Sequence, residues 1–171
     1  VGSISLERLK TSWERARRGL DFAFNFVRSN AGITHYSLLS SPFLVITIAY
    51  WADKRGYSIG QEDSHQMRKW LLLANAKGRY SQGSSESLLN QDLAILRNGG
   101  NHIELLERLR QQVGRLDLEP SELVGRTSRS GIFRTMFLAF SNDDAKDWWT
   151  ALQISPTHTG KPNSIQFHHI F

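Results

Sequence analysis

The 171-residue chain contains no cysteine. That excludes a disulfide scaffold, a thiolate nucleophile and any zinc site built on sulfur, and it fits a reducing cytoplasm. Proline is scarce, at 4 residues, and no low-complexity run occurs, so disorder is not the expected state. Long hydrophobic runs are missing too. The longest, Phe43 to Trp51, includes Thr47 and falls far short of the ~20 residues a membrane span requires, so it reads as a buried helix and no membrane partner is expected. The N-terminus has no basic-then-apolar leader pattern and does not begin with Met; the chain is read as a piece of a longer protein. Charge of one sign is only mildly in excess. Against 21 basic residues stand 16 acidic ones, and the net +5 is a bias toward polyanions that decides nothing alone.

What is present is helical periodicity. Leu6, Leu9, Trp13, Ala16, Leu20, Ala23 and Val27 recur at three- and four-residue steps after Ser3 or Ser5, which predicts a long amphipathic first helix. Phe22, Phe24 and Phe26 widen its apolar surface toward the C-terminal end, so that end should be enclosed by other helices. Ser41 and Pro42 announce a second helix that stops at Gly56. A third runs from about Gln61 to Lys77 with Met67, Trp70, Leu71 and Ala74 inward, and a fourth from about Glu86 to Leu96 with Leu88, Leu89, Leu93 and Leu96 inward. Asn101 and Glu104 stand at capping-box spacing before a fifth, whose stripe is Ile103, Leu106, Leu109 and Val113. Glu119 to Glu122 resembles a short helical start. Ile132, Phe133, Met136, Phe137 and Phe140 mark a sixth helix, and Asn142 to Asp144 read as the cap of a short seventh carrying Trp148 and Trp149. All five tryptophans are expected to pack within or between helices.

After about Leu152 the pattern changes to loop residues and then to an alternation, Ser164 to Phe171, that reads as a strand. The expected fold is therefore mainly α: an irregular bundle of six to seven helices over residues 1–152, followed by a loop and a short extended or β segment over 153–171. His168 and His169 are adjacent on that strand and so face opposite sides, which suits one for metal ligation and the other for base chemistry; incidental chain-end residues are the plainer alternative.

Two stretches resemble a known family. Lys69-Trp70-Leu71-Leu72-Leu73, Gly78-Arg79-Tyr80-Ser81 and Ser84 through Leu93 look like the helical central region of GmrSD-like modification-dependent restriction and phage-defence proteins. Phe167-His168-His169-Ile170-Phe171, approached by Asp147-Trp148, resembles the opening strand of that family's C-terminal HNH-like, or His-Me finger, nuclease. The resemblance spans about residues 33–171. It implies a parent protein that cuts DNA, with His169 as general base and His168 as ligand of a divalent metal, Mg or Mn before Zn or Ni. It also implies an N-terminal ParB-like NTPase domain marked by Asp-Gly-Gln-Gln-Arg, a motif not found here, and further nuclease elements after the histidine strand. On that reading the chain is a catalytically silent helical scaffold cut where the nuclease begins; the alternative is a non-enzymatic helical interaction or DNA-binding module.

Cationic loops supply the remaining candidates. Arg126, Thr127, Ser128, Arg129 and Ser130, followed by Arg134, sit at a helix start where N–H groups and guanidinium forks suit a phosphate. Arg79, in Gly78-Arg79-Tyr80-Ser81, is a second DNA-contact candidate, or else locks neighbouring helices together with Tyr80. Arg15, Arg17 and Arg18 lie beside Glu7 and Glu14 and read as a solvated face of ion pairs. An exposed face on the heptad-like first helix would drive association, which leaves a homo-oligomer open.

Overall fold

Helix-forming periodicity is realised in six α-helices in the computed structural model, which describes residues 4–148 and 151–154. They are α1 (Leu6–Ala31), α2 (Phe43–Lys54), α3 (Gln61–Ala76), α4 (Ser85–Arg97), α5 (His102–Val113) and α6 (Gly131–Asn142), with short 3-10 turns at Tyr36–Leu38 and Pro120–Leu123. Sequence-encoded caps set most boundaries. Ser5, Ser84 and Ser130 accept the amides of Arg8, Ser87 and Phe133 through their hydroxyls. Asn101 and Glu104 form the expected reciprocal box, with Ile103 N–H donating to Asn101 Oδ1 and Asn101 N–H to Glu104, both at 2.8 Å.

The nearly all-apolar α2 lies in the middle. It packs along α1 and α4 and touches α3, while α3 bridges α1, α5 and α6. Trp51 and Trp70 are fully buried in one core with Leu44, Ile48, Met67 and Leu71. Two polar residues tie the layers together. Asn75 near the end of α3 is fully buried; it accepts Ser40 N–H at 2.6 Å and donates to the Leu38 carbonyl and to Thr135 of α6. Gly131 opens α6 directly against the same spot, since a Cβ there would lie 1.9 Å from the Asn75 carbonyl oxygen. The positive end of α6 thus meets the carbonyl end of α3.

The second tie is ionic. Gly78, at φ +64, ends α3 in the left-handed conformation and turns Arg79 and Tyr80 inward. Arg79 donates twice to Asp92 of α4, at 3.0 and 2.7 Å, and both side chains are completely enclosed. Its third branch donates to Gln112 of α5, whose amide returns a hydrogen bond to the Arg79 carbonyl at 3.1 Å. Tyr80 gives its only proton to Asp92 at 2.6 Å, so the single proton of Thr47 of α2 is shared between the Tyr80 oxygen, 2.7 Å away, and the Phe43 carbonyl at 3.0 Å. Burial beside that carboxylate pushes the Tyr80 hydroxyl pKa far up. Through Arg79 and Tyr80 the Asp92 carboxylate of α4 ties α2 and α5 to the turn that follows α3.

Several expectations are corrected. Among the described residues no helix follows Asn142: Asp144 adopts φ +53, and the chain instead folds back so that Lys146 bridges Gln153 antiparallel, with Asp147 N–H bonded to the Leu152 carbonyl at 2.8 Å. A capping Asn-Asp-Asp cluster also serves a turn, because short Asx side chains tolerate the left-handed region. Ile154, just past the expected boundary at 152, packs on the core. On α5 the buried positions are Leu105 and Leu109, while Ile103 is exposed; the helix is rotated to bring Gln112 to Arg79. Trp13 and Trp148 are exposed rather than packed. The expected strand Ser164 to Phe171 lies outside the described residues, and so does Trp149.

Removing one partner of the enclosed ion pair strands the other. Asp92→Ala is expected to cost about 3–5 kcal/mol in chemical denaturation, whereas Arg79→Met combined with Asp92→Leu costs less because no charge is left unpaired. Gly131→Ala is expected to lower the melting temperature by several degrees, since α6 must move off α3; an unchanged melting temperature would show that the contact yields without cost.

Candidate functional site

The cationic loop predicted to suit phosphate is part of a groove. Gly78, Ser81 and Gln82 after α3 form one wall, Gln112 and Val113 at the end of α5 the floor, and Arg126, Arg129 and Ser130 ahead of α6 the other wall, enclosing about 480 Å³. The two loops that the sequence offered separately thus face each other. Local chemistry explains the second wall: Gly125 turns the chain at φ +70, and the Thr127 carbonyl accepts both the N–H and the hydroxyl of Ser130, at 3.0 and 2.8 Å.

Charges in the groove are not equivalent. Lys77, almost enclosed, donates to the Asp117 carbonyl at 2.7 Å and to both oxygens of Glu122 at 2.8 and 2.9 Å, so this pair is neutral. Glu122 also accepts the Glu119 N–H at 3.1 Å. Lys77 above all, with that backbone donor, holds the Glu122 carboxyl below its ordinary range. Arg126 and Arg129 are exposed, and neither pairs with a carboxylate among the described residues; Arg126 Nε donates only to the Glu122 carbonyl, at 3.3 Å. Two guanidinium groups therefore give the groove its positive potential, flanked by the hydroxyls of Ser81 and Ser130 and the amide of Gln82.

The other sequence candidates fall elsewhere. Arg79 lies beneath the groove, not in it: it is fully buried and committed to Asp92 and Gln112, which corrects the phosphate-contact reading and leaves the helix-locking one. Arg134 points away, donating to the Leu39 carbonyl, and partial burial lowers its pKa. The backbone end of α6 is not an open anion cradle, because Gly131 rests on the α3 carbonyls and Ser130 caps Phe133. His168 and His169 lie outside the described residues, and among those described no cluster of three His, Asp or Glu side chains is placed to hold a metal. No chemical step through a metal follows from these residues. On α1, Arg17 pairs with Glu14 at 2.9 Å, Arg15 with Asp53 of α2 at 2.6 Å, and Arg18 stacks on Tyr57, as a solvated ion-pair face should.

Asp92 and Gln112 went unnoticed in sequence as partners of Arg79. A signal existed for Asp92, which sits three residues after Leu89 and four before Leu96, an acidic residue on an apolar face. Lys77 and Glu122 left none, being brought together only by the fold.

Fold and groove together define, among the described residues, a mainly α module whose cationic surface cleft lies over an apolar core that encloses one polar network. No protein-family model matches the chain, and no curated protein and no solved structure is significantly similar to it. No described helix is long and apolar enough to cross a membrane.

The depressed Glu122 pKa has a direction. The Lys77 contact stabilises fully above the ordinary carboxylate pKa and is lost as pH falls through the lower folded value. Amide exchange in residues 117–126 is expected to accelerate in that acid range, and Glu122→Gln is expected to show the fast exchange already at neutral pH.

Proposed function

We propose that this chain is the helical scaffold of a DNA-restriction, phage-defence endonuclease of GmrSD-like type, and that its Arg126–Arg129 groove rests on the sugar-phosphate backbone. The observation that carries the DNA contact is the pair of exposed guanidinium groups without carboxylate partners, mounted on a body fixed from below by the Arg79–Asp92 pair. A groove of this kind reads charge and spacing rather than base identity, since phosphate contacts position a protein without specifying sequence. Support for the scaffold reading comes from where the resembling stretches fall. Arg79, Tyr80 and Asp92, drawn from two of them, are the buried network itself. In such a protein His169 as general base and His168 as ligand of Mg or Mn remain what the resemblance implies, in company with a ParB-like NTPase domain. A second reading, a non-enzymatic interaction module, is favoured by the uncovered apolar face of α1.

The test is duplex DNA binding by fluorescence anisotropy across a salt series. Arg126→Ala with Arg129→Ala is expected to weaken binding and to flatten the log–log salt slope by about 1.8, as two phosphate contacts disappear. Arg134→Ala, whose guanidinium serves the Leu39 carbonyl, should leave the slope alone. Equal binding by the double variant and the parent chain would remove the groove from the proposal.

A further inference from the structure

We infer that α1 is a homodimerisation helix, pairing antiparallel with α1 of a second copy of this chain about a two-fold axis near Arg15. The first observation is exposure. Every residue from Ile4 to Arg18 is exposed, and α2 meets this half of α1 on one side only, with Asp53 on Arg15 and Tyr57 under Arg18, so no described part of the chain covers its apolar stripe. Isolated helices of that length are marginal in water, and helical segments in proteins draw most of their stability from packing an apolar face. Such a face is present: Leu6 is 68%, Leu9 50%, Trp13 66% and Phe24 60% exposed, with Leu20 between. At 100° per residue these five lie on one stripe. Beside it, Ala16 and Leu20 open into a cleft walled by Ile46 and Tyr50 of α2. Weighted by exposure, the stripe offers on the order of 500 Å² of apolar surface, at the upper end of what monomers leave contiguous. Two copies with their flanks reach the ~1,200 Å² at which specific interfaces begin.

The choice of a second copy as occupant rests on complementarity within the helix. Reversed on itself, α1 sets Leu6 opposite Phe24, Leu9 opposite Leu20 and Trp13 opposite Ala16, so the largest side chain meets the smallest and each layer is filled twice by symmetry. One flank carries Lys10, Glu14, Arg17 and Asp21, alternating in sign. The same reversal sets Lys10 opposite Asp21 and Glu14 opposite Arg17, and does so on both sides of the axis. Parallel pairing lacks this match, because identical residues then stand level. The other flank carries the small Ser12 and Ala16 at the edge of the α2 cleft, while Gly19 is buried against Ala49 of α2. The existing Glu14–Arg17 and Arg17–Asp21 contacts within the helix are exposed and free to exchange across the axis. Beyond Phe24 the stripe turns into the body, where Val27 and Ala31 are buried, so the pairing has a defined end.

Sedimentation equilibrium of the 171-residue chain at micromolar concentrations is expected to give a dimer, and Trp13→Asp a monomer with unchanged circular dichroism. Lys10→Asp is expected to weaken the dimer at least tenfold, and Asp21→Lys added to it to restore most of the loss. Because the chain has no native cysteine, direction can be read by oxidation: a mixture of Leu9→Cys and Leu20→Cys chains should cross-link as a heterodimer, while Leu9→Cys alone should not. A monomeric parent chain, a dimer indifferent to Trp13→Asp, or efficient self-linking of Leu9→Cys would each overturn the inference, the first assigning the stripe to a different occupant and the last replacing the antiparallel arrangement by a parallel one.

Discussion

A single enclosed carboxylate, Asp92, holds the helices in register. Its two oxygens take both prongs of the Arg79 fork and the Tyr80 hydroxyl, and through those residues it reaches α2 at Thr47 and α5 at Gln112. An ion pair in such a place adds little net stability over apolar packing of equal volume, because desolvation offsets most of the attraction. Its effect is on alternatives. Sliding α4 by one turn would leave a buried charge without a partner, and sliding α5 would leave one Arg79 N–H and the Arg79 carbonyl without Gln112, penalties that an apolar stripe of Leu residues alone would not impose.

From that constraint the surface groove follows. Gly78 must end α3 where Arg79 can turn inward, and the same turn delivers Ser81 and Gln82 to the surface above. Asn75, one turn earlier, fixes the start of α6 through Thr135, and Gly131 allows the two helix ends to touch. The loop carrying Arg126 and Arg129 is therefore suspended between two anchored points, with Lys77 and Glu122 closing its base. Cations on such a loop keep a fixed spacing without being buried themselves, which is what contact with a polyanion requires.

The first helix obeys two environments in turn. One face of its C-terminal half is enclosed, with Phe26 meeting Trp51 edge-on at 5.7 Å and Phe22 half-buried, while Phe24 of the same cluster stays exposed. Its N-terminal half continues the same apolar periodicity into solvent, held to the body by Arg15 on Asp53. One period thus serves two surfaces, an internal one and an external one. Periodicity alone reports that a face is apolar and not which chain covers it.

That distinction runs through the whole molecule. Helix positions, the capping box at Asn101 and the central place of α2 were legible in sequence, because capping and periodicity are local and act within a few residues. The Asn142 to Asp144 cluster misled for the same reason: capping and turning use identical side chains, and only the return of Gln153 to Lys146 chose between them. Whether an arginine is buried or free was decided by tertiary structure alone. Arg79 and Arg129 look alike in sequence, each in a polar loop beside Ser and Gly; one found a carboxylate thirteen residues away on a helix packed above it, and the other did not.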